Sequence, residues 1–145
     1  MDVFGDLNIP ILFPIHPRTR KNLENFGIDS KISSNIRIVE PLGYFETLSA
    51  IKDAIFVATD SGGIQQEAFV LKTPCVTIRR SYEWRETFDA GVNFLANPET
   101  PDFKVNVDTV RRSAEAIRLR FSESEPVFGD GHASERIANL LKRYA

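Results

Sequence analysis

Residues 56–68 constrain the fold of this chain more than any other stretch of its sequence. They open with an apolar run of the strand type, pass through the glycine turn 60–63, and continue into a helical pattern that ends near residue 71. The first N–H groups of a helix have no partner within the helix and lie at the positive end of its dipole, so they attract anions. Glycine lacks a Cβ atom and therefore lets a phosphate approach the backbone closely. The stretch is typical of a phosphate site, but it is equally consistent with a plain helix cap at Asp60 or Ser61.

The rest of the chain alternates short apolar runs with helical patterns. Strands are predicted at residues 9–15, 35–39, 55–59, 74–79 and 92–96, and further helices at residues 17–26, 44–52, 83–90, 109–121 and 133–144. This alternation predicts an α/β fold, a Rossmann-like three-layer domain with one parallel sheet of about five or six strands. Ligands of such sheets bind where the strands end, so the polar residues that follow the strands are expected to meet at one edge.

Length and composition narrow the class of protein. A chain of 145 residues is expected to form one domain, residues 1–145. The net charge of −2 and the scattered basic residues predict no nucleic-acid partner. No apolar run has the length of a membrane span and the N-terminus lacks the layout of a secretion signal, which predicts a cytoplasmic protein without a membrane partner. The single cysteine, Cys75, lies in an apolar run and is expected to be buried in the core.

Four segments carry a resemblance to a known family. In chain order they are Phe-Pro-Ile-His-Pro at 13–17, Glu-Pro-Leu-Gly-Tyr at 40–44, Thr-Asp-Ser-Gly-Gly-Ile-Gln-Gln-Glu-Ala at 59–68, and Gly-Asp-Gly at 129–131. Together they resemble the motifs of the non-hydrolysing UDP-N-acetylglucosamine 2-epimerases, which are two-domain enzymes of the GT-B fold. The resemblance matches only the C-terminal half of such an enzyme.

The resemblance implies a nucleotide site. Ser61, Gly62 and Gly63 would bind the diphosphate of UDP. Glu67 would accept hydrogen bonds from the ribose hydroxyls, because a carboxylate offers two acceptor oxygens to a diol. Four further residues are implied as substrate or regulatory contacts, namely His16, Arg79, Glu83 and Thr47.

Three residues each have two open interpretations, namely His16, Tyr82 and Trp84. His16 is either a ligand contact or a structural residue that fixes the turn before Pro17. Tyr82 and Trp84 either line a sugar pocket or pack in the core or an interface. Thr47 stands where the family commonly has a phenylalanine near the uracil, which puts the mode of base stacking in question.

The activity that the resemblance implies is the interconversion of UDP-GlcNAc and UDP-ManNAc, by elimination of UDP and its re-addition with inversion at C2. The principal acid and base carboxylates of the family lie in its N-terminal domain, so this chain is expected to hold no complete catalytic set and to be inactive alone. Its expected ligand is UDP or a UDP-N-acetylhexosamine, with no cofactor and no metal ion. The helix at 133–144 is expected to pack on the missing N-terminal domain or to drive a homodimer. Two alternatives stay open: the UDP-binding domain of a GT-B glycosyltransferase, and a non-catalytic nucleotide-sugar binding module.

Overall fold

A computed structural model describes residues 2–28, 32–122, 124 and 127–144 of the chain. The chain divides into two compact units, Met1–Ala50 and Ile51–Ala145, and each has a parallel sheet of its own. Helix α3, Tyr44–Asp53, contains the division between them. The expectation of a single domain stays a prediction.

The first unit is built around a two-stranded sheet. Its elements are α1 (Asp2–Gly5), β1 (Ile11–Pro14), α2 (Pro17–Asn25), β2 (Ile36–Val39) and most of α3. Strands β1 and β2 pair in parallel, from Ile11 opposite Ile36 to Pro14 opposite Val39. A parallel pair needs a crossover connection, which α2 supplies. Gly43 directly precedes α3, and its N–H caps the helix start by donating to the Glu46 carboxylate at 2.7 Å.

The second unit is built around a three-stranded parallel sheet in the order β3-β4-β5. Its elements are β3 (Val57–Thr59), α4 (Gly62–Val70), β4 (Cys75–Thr77), α5 (Arg85–Asp89), β5 (Asn93–Leu95), α6 (Phe103–Arg120) and α7 (Ala133–Leu141). The central strand β4 is buried along its whole length. Ala68 of α4 and Cys75 pack together with Ile51 in the core, which holds α4 against the sheet. The start of α4 is therefore fixed at the carboxyl end of β3.

The α/β class and the parallel strands are confirmed, with a difference in the sheets. The described residues form five strands in two sheets, where the sequence predicts one sheet of about five or six. Each strand is also shorter than its apolar run, because only three or four residues of each run enter the ladder of hydrogen bonds.

Helix α6 begins at Phe103, six residues before the predicted start at 109. The prolines of the stretch 97–106 predict a loop there, and that prediction is wrong over its last four residues. The apolar side of α6 extends back to Val107, which is buried together with Val110, Ala114 and Ile117. Asp108 lies inside the helix and does not cap it. There it forms ion pairs with Arg111 and Arg112.

Helix α7 begins at Ala133 as predicted and ends at Leu141. None of its residues is buried. The apolar side chains Ile137, Leu140 and Leu141 are 57%, 51% and 66% exposed, which leaves one face of the helix open. Among the described residues, no helix combines the length and the apolar character needed to cross a membrane.

Candidate functional site

The start of α4 forms a helix end with unpaired backbone donors. Ser61 is the N-cap residue, with extended backbone angles of φ −82° and ψ 125°, and its Oγ accepts a hydrogen bond from the Ile64 N–H at 3.5 Å. The Ser61 N–H itself donates to Thr59 Oγ1 at 3.0 Å. Gly62 and Gly63 are the first two helical residues, and N–H groups at these positions have no acceptor within the helix. They can therefore donate to an anion that lies on the helix axis.

The two glycines of this turn differ in what an added side chain would contact. Neither has the positive φ that the protein uses at Gly27, Gly91, Gly129 and Gly131. A Cβ atom on Gly62 would lie 2.6 Å from Glu83 Oε1, so a side chain there would require the Glu83 carboxylate to move. A Cβ atom on Gly63 would meet only Ser61 Oγ, at 3.9 Å. The fold itself gives no reason for a glycine at position 63.

The loop between β4 and α5 brings two more of the predicted residues to the turn. The Glu83 carboxylate lies directly beside Gly62. Arg79 donates to it from Nη1 at 2.5 Å. The two side chains are 42% and 37% exposed, so the pair contributes little stability and can open at low cost. Strands β3 and β4 are parallel neighbours and end at the same edge of the sheet. Their order therefore predicts that the turn after β3 lies beside the loop after β4.

Trp84 closes the other side of the turn. Its indole N–H donates to the Gly62 carbonyl at 3.0 Å. Its ring packs edge to face against Phe128 at 5.5 Å, and Phe128 packs in the same way against Phe69 of α4 at 5.4 Å. Of the two interpretations left open for Trp84, these contacts correspond to packing. They also hold the segment before the turn 129–131 against α4.

Glu67 lies on the second turn of α4 and is half-buried. Its Oε2 atom is buried without a hydrogen-bond partner among the described residues. A buried carboxylate oxygen without a donor is costly, and the cost is removed when a hydroxyl donates to it. Glu67 is thus able to accept a ligand hydroxyl.

His16 and Thr47 belong to the first unit, where each has a structural hydrogen bond. His16 is the N-cap of α2 and accepts from the Arg18 N–H through Nδ1 at 3.2 Å. Thr47 donates its hydroxyl to the Gly43 carbonyl at 2.9 Å. The structural interpretation of His16 therefore has direct support, and ligand roles for both residues stay predictions.

Cys75 is buried, as predicted. Burial raises the pKa of its thiol to about 12, and the hydrogen bond with Thr77 offsets only part of that rise. A thiol with this pKa is no nucleophile at neutral pH. In the described part of the chain, no three His, Cys, Asp or Glu side chains are grouped so that they could hold a metal ion.

Three polar residues beside the site are buried and were not predicted as site residues, namely Gln65, Thr87 and Asn93. Each is at most 3% exposed. A signal was present at Asn93, because an amide inside an otherwise apolar strand must find hydrogen-bond partners once it is buried.

A sequence model of the UDP-N-acetylglucosamine 2-epimerase family matches residues 2–142. The chain belongs to this family. Among its relatives, a UDP-N-acetylglucosamine 2-epimerase of Methanococcus maripaludis is 41% identical over 133 residues, which are 90% of this chain and 34% of the relative. A homolog of that epimerase from the same organism is 36% identical over 144 residues, 98% of this chain and 38% of the relative.

The fold agrees with solved structures of the 2-epimerases. The crystal structure of the Methanocaldococcus jannaschii UDP-GlcNAc 2-epimerase in complex with UDP-GlcNAc and UDP matches with a TM-score of 0.77 and 37% identity. The match covers 98% of this chain and 38% of that chain. This chain therefore spans little more than a third of the length of these relatives. The family resemblance and the α/β class predicted from the sequence are both confirmed.

Proposed function

We propose that this chain is the UDP-binding half of a UDP-N-acetylglucosamine 2-epimerase. The whole enzyme would interconvert UDP-GlcNAc and UDP-ManNAc by eliminating UDP and adding it back with inversion at C2. The observation that carries the proposal is the open helix end at Gly63, where the fold leaves room for a ligand that it does not itself fill. Membership of the family supports UDP as that ligand.

The diphosphate would lie at the start of α4. The N–H groups of Gly62 and Gly63 would donate to its oxygens. Ser61 would add a third donor, because its Oγ already accepts from the Ile64 N–H and its own proton is left for a phosphate oxygen. Arg79, freed from Glu83, would add positive charge as UDP departs with the electrons of the C1–O bond.

The ribose would lie one turn further along the helix. Glu67 would accept from its hydroxyls, and this supplies the partner that Oε2 lacks within the protein. The roles of Arg79 and Glu83 as substrate contacts rest on their position beside Gly62. His16 and Thr47 are proposed as further substrate or regulatory contacts on the resemblance alone.

Inversion at C2 requires one group to remove a proton and another to return it on the opposite face. We propose that these groups lie in the domain that the chain lacks relative to its longer relatives. The chain alone would then bind nucleotide without converting it.

Two measurements on the 145-residue chain test the proposal. Calorimetric titration with UDP, UMP and uridine is expected to give an affinity that rises with each phosphate, since the helix end binds the phosphates. Equal affinities for UDP and uridine would contradict the diphosphate site. NMR of a UDP-GlcNAc solution is expected to show no UDP-ManNAc over hours, and steady conversion would contradict the claim that the chain is inactive alone.

A further inference from the structure

A chain of buried and half-buried hydrogen bonds begins and ends on the first turn of α4. It starts at Gln65, whose Oε1 accepts from Asn93 Nδ2 of strand β5 at 3.4 Å. Asn93 Nδ2 also donates to Thr87 Oγ1 of helix α5, at 3.0 Å. The Thr87 hydroxyl donates to the Trp84 carbonyl at 2.7 Å. The Trp84 indole N–H then donates to the carbonyl of Gly62, three residues before Gln65. We call these five residues the α4 ring.

Asn93 is the branch point of the α4 ring and all of its side-chain polar atoms are used. Its Oδ1 accepts from Thr77 Oγ1 at 2.8 Å, which ties the ring to the central strand β4. Asn93 and Thr87 are 3% and 1% exposed. Hydrogen bonds in such surroundings are not weakened by competing water, and a polar group that loses its partner there pays the full cost of its desolvation.

Gln65 has one polar atom that the α4 ring leaves unpaired. The side chain is 1% exposed, yet its Nε2 has no hydrogen-bond partner among the described residues. A leucine of similar size would fill the same space without that cost. What the amide supplies, and a leucine does not, is the acceptor for Asn93.

We propose that the α4 ring positions the first turn of α4, and that Asn93, Thr87 and Trp84 are positioning residues for the phosphate-binding N–H groups. The inference rests on the proposed function for its ligand. The Trp84 indole holds the carbonyl of Gly62, and the Asn93 amide holds the side chain of Gln65. The N–H groups between these two points are thereby held in the direction that a diphosphate requires before it arrives, which lowers the entropy lost on binding.

The chain offers a matched pair of substitutions for the test. Thr87→Val breaks the α4 ring with almost no change in shape. Thr73→Val removes an equally buried hydroxyl that lies outside the ring, where it donates to the Ile51 carbonyl at 2.9 Å. Both variants are expected to lose stability in urea unfolding, Thr87→Val more than Thr73→Val, because the first breaks two hydrogen bonds and the second breaks one. Only Thr87→Val is expected to weaken UDP binding, by about 5- to 10-fold, with the affinity for uridine unchanged.

Hydrogen exchange tests the α4 ring without any ligand. The Gln65 N–H donates to the Ser61 carbonyl at 3.1 Å and reports on the first turn. Thr87→Val and Trp84→Phe are expected to speed its exchange by about tenfold, beyond any change that Thr73→Val causes. If Thr87→Val and Thr73→Val have equal effects on this exchange, the positioning role is overturned. If the wild type fails to bind UDP while the exchange differs as expected, the proposed function fails and the ring stands.

Discussion

The substitution Gly63→Ala separates what the fold needs at the start of α4 from what a ligand needs there. Gly63 has helical backbone angles, and a Cβ atom on it would meet no atom nearer than 3.9 Å. Alanine is the better helix former, so the free energy of unfolding is expected to rise by about 0.5 kcal/mol. For a chain of 145 residues this corresponds to an increase in Tm of about 1–2 °C.

Binding is expected to change in the opposite direction. The added methyl group would lie where a phosphate oxygen must come to accept from the Gly63 N–H. The loss of one hydrogen bond to a charged group costs about 1.5–3 kcal/mol, which is a rise of about 10- to 100-fold in the Kd for UDP.

Thermal unfolding and calorimetric titration of the same preparation measure both effects. Gln66→Ala, three residues further along the same helix, is the control for a general effect on α4. A Gly63→Ala variant that binds UDP as tightly as the wild type would refute the assignment of the diphosphate to this turn. A variant that unfolds at a lower temperature would instead show that the fold requires the glycine.

Three further predictions follow from neighbouring features. Glu83→Gln removes a negative charge beside Gly62, so titration should show UDP binding about 3- to 5-fold more tightly, with a smaller gain at high salt; weaker binding would mean that the charge of Glu83, proposed above as a substrate contact, does not oppose the diphosphate. Since the pKa of Cys75 is raised to about 12, the folded protein should hold only about one thiolate in ten thousand at pH 8. Labelling by a thiol reagent should therefore follow the unfolding rate in urea, and fast labelling without urea would contradict a closed core. The open apolar face of α7 should make the isolated chain associate as its concentration rises, and light scattering should show that Leu140→Glu suppresses the association. A wild type that stays monomeric at all concentrations would show that this face does not drive association.

Local signals predicted the start of α4 at Ser61 better than they predicted the contacts that support it. Ser61 and the two glycines are adjacent in sequence, so one stretch carries the whole pattern of cap, turn and helix. The place of Arg79 and Glu83 follows from strand order, because neighbouring parallel strands end at one edge.

The α4 ring was beyond reach of the same reasoning. The contact from Asn93 to Gln65 spans 28 residues, and it depends on the register of β5 against β4, which places Asn93 opposite Cys75. Three-residue strands carry too few alternating positions to fix a register from sequence. The early start of α6 was missed for a different reason, since the proline-bearing stretch 97–106 predicts a loop although Val107 continues the apolar side formed by Val110 and Ala114.

Trp84 is the one tryptophan of the chain, and this gives the protein an optical probe of its own. Its indole donates a hydrogen bond to the glycine turn and packs edge to face against the segment before residue 129. The wavelength and intensity of its fluorescence therefore depend on both contacts. Ligand binding, loosening of the turn and complete unfolding should each change the emission spectrum in a different way. The protein can therefore be followed in a fluorimeter without any dye.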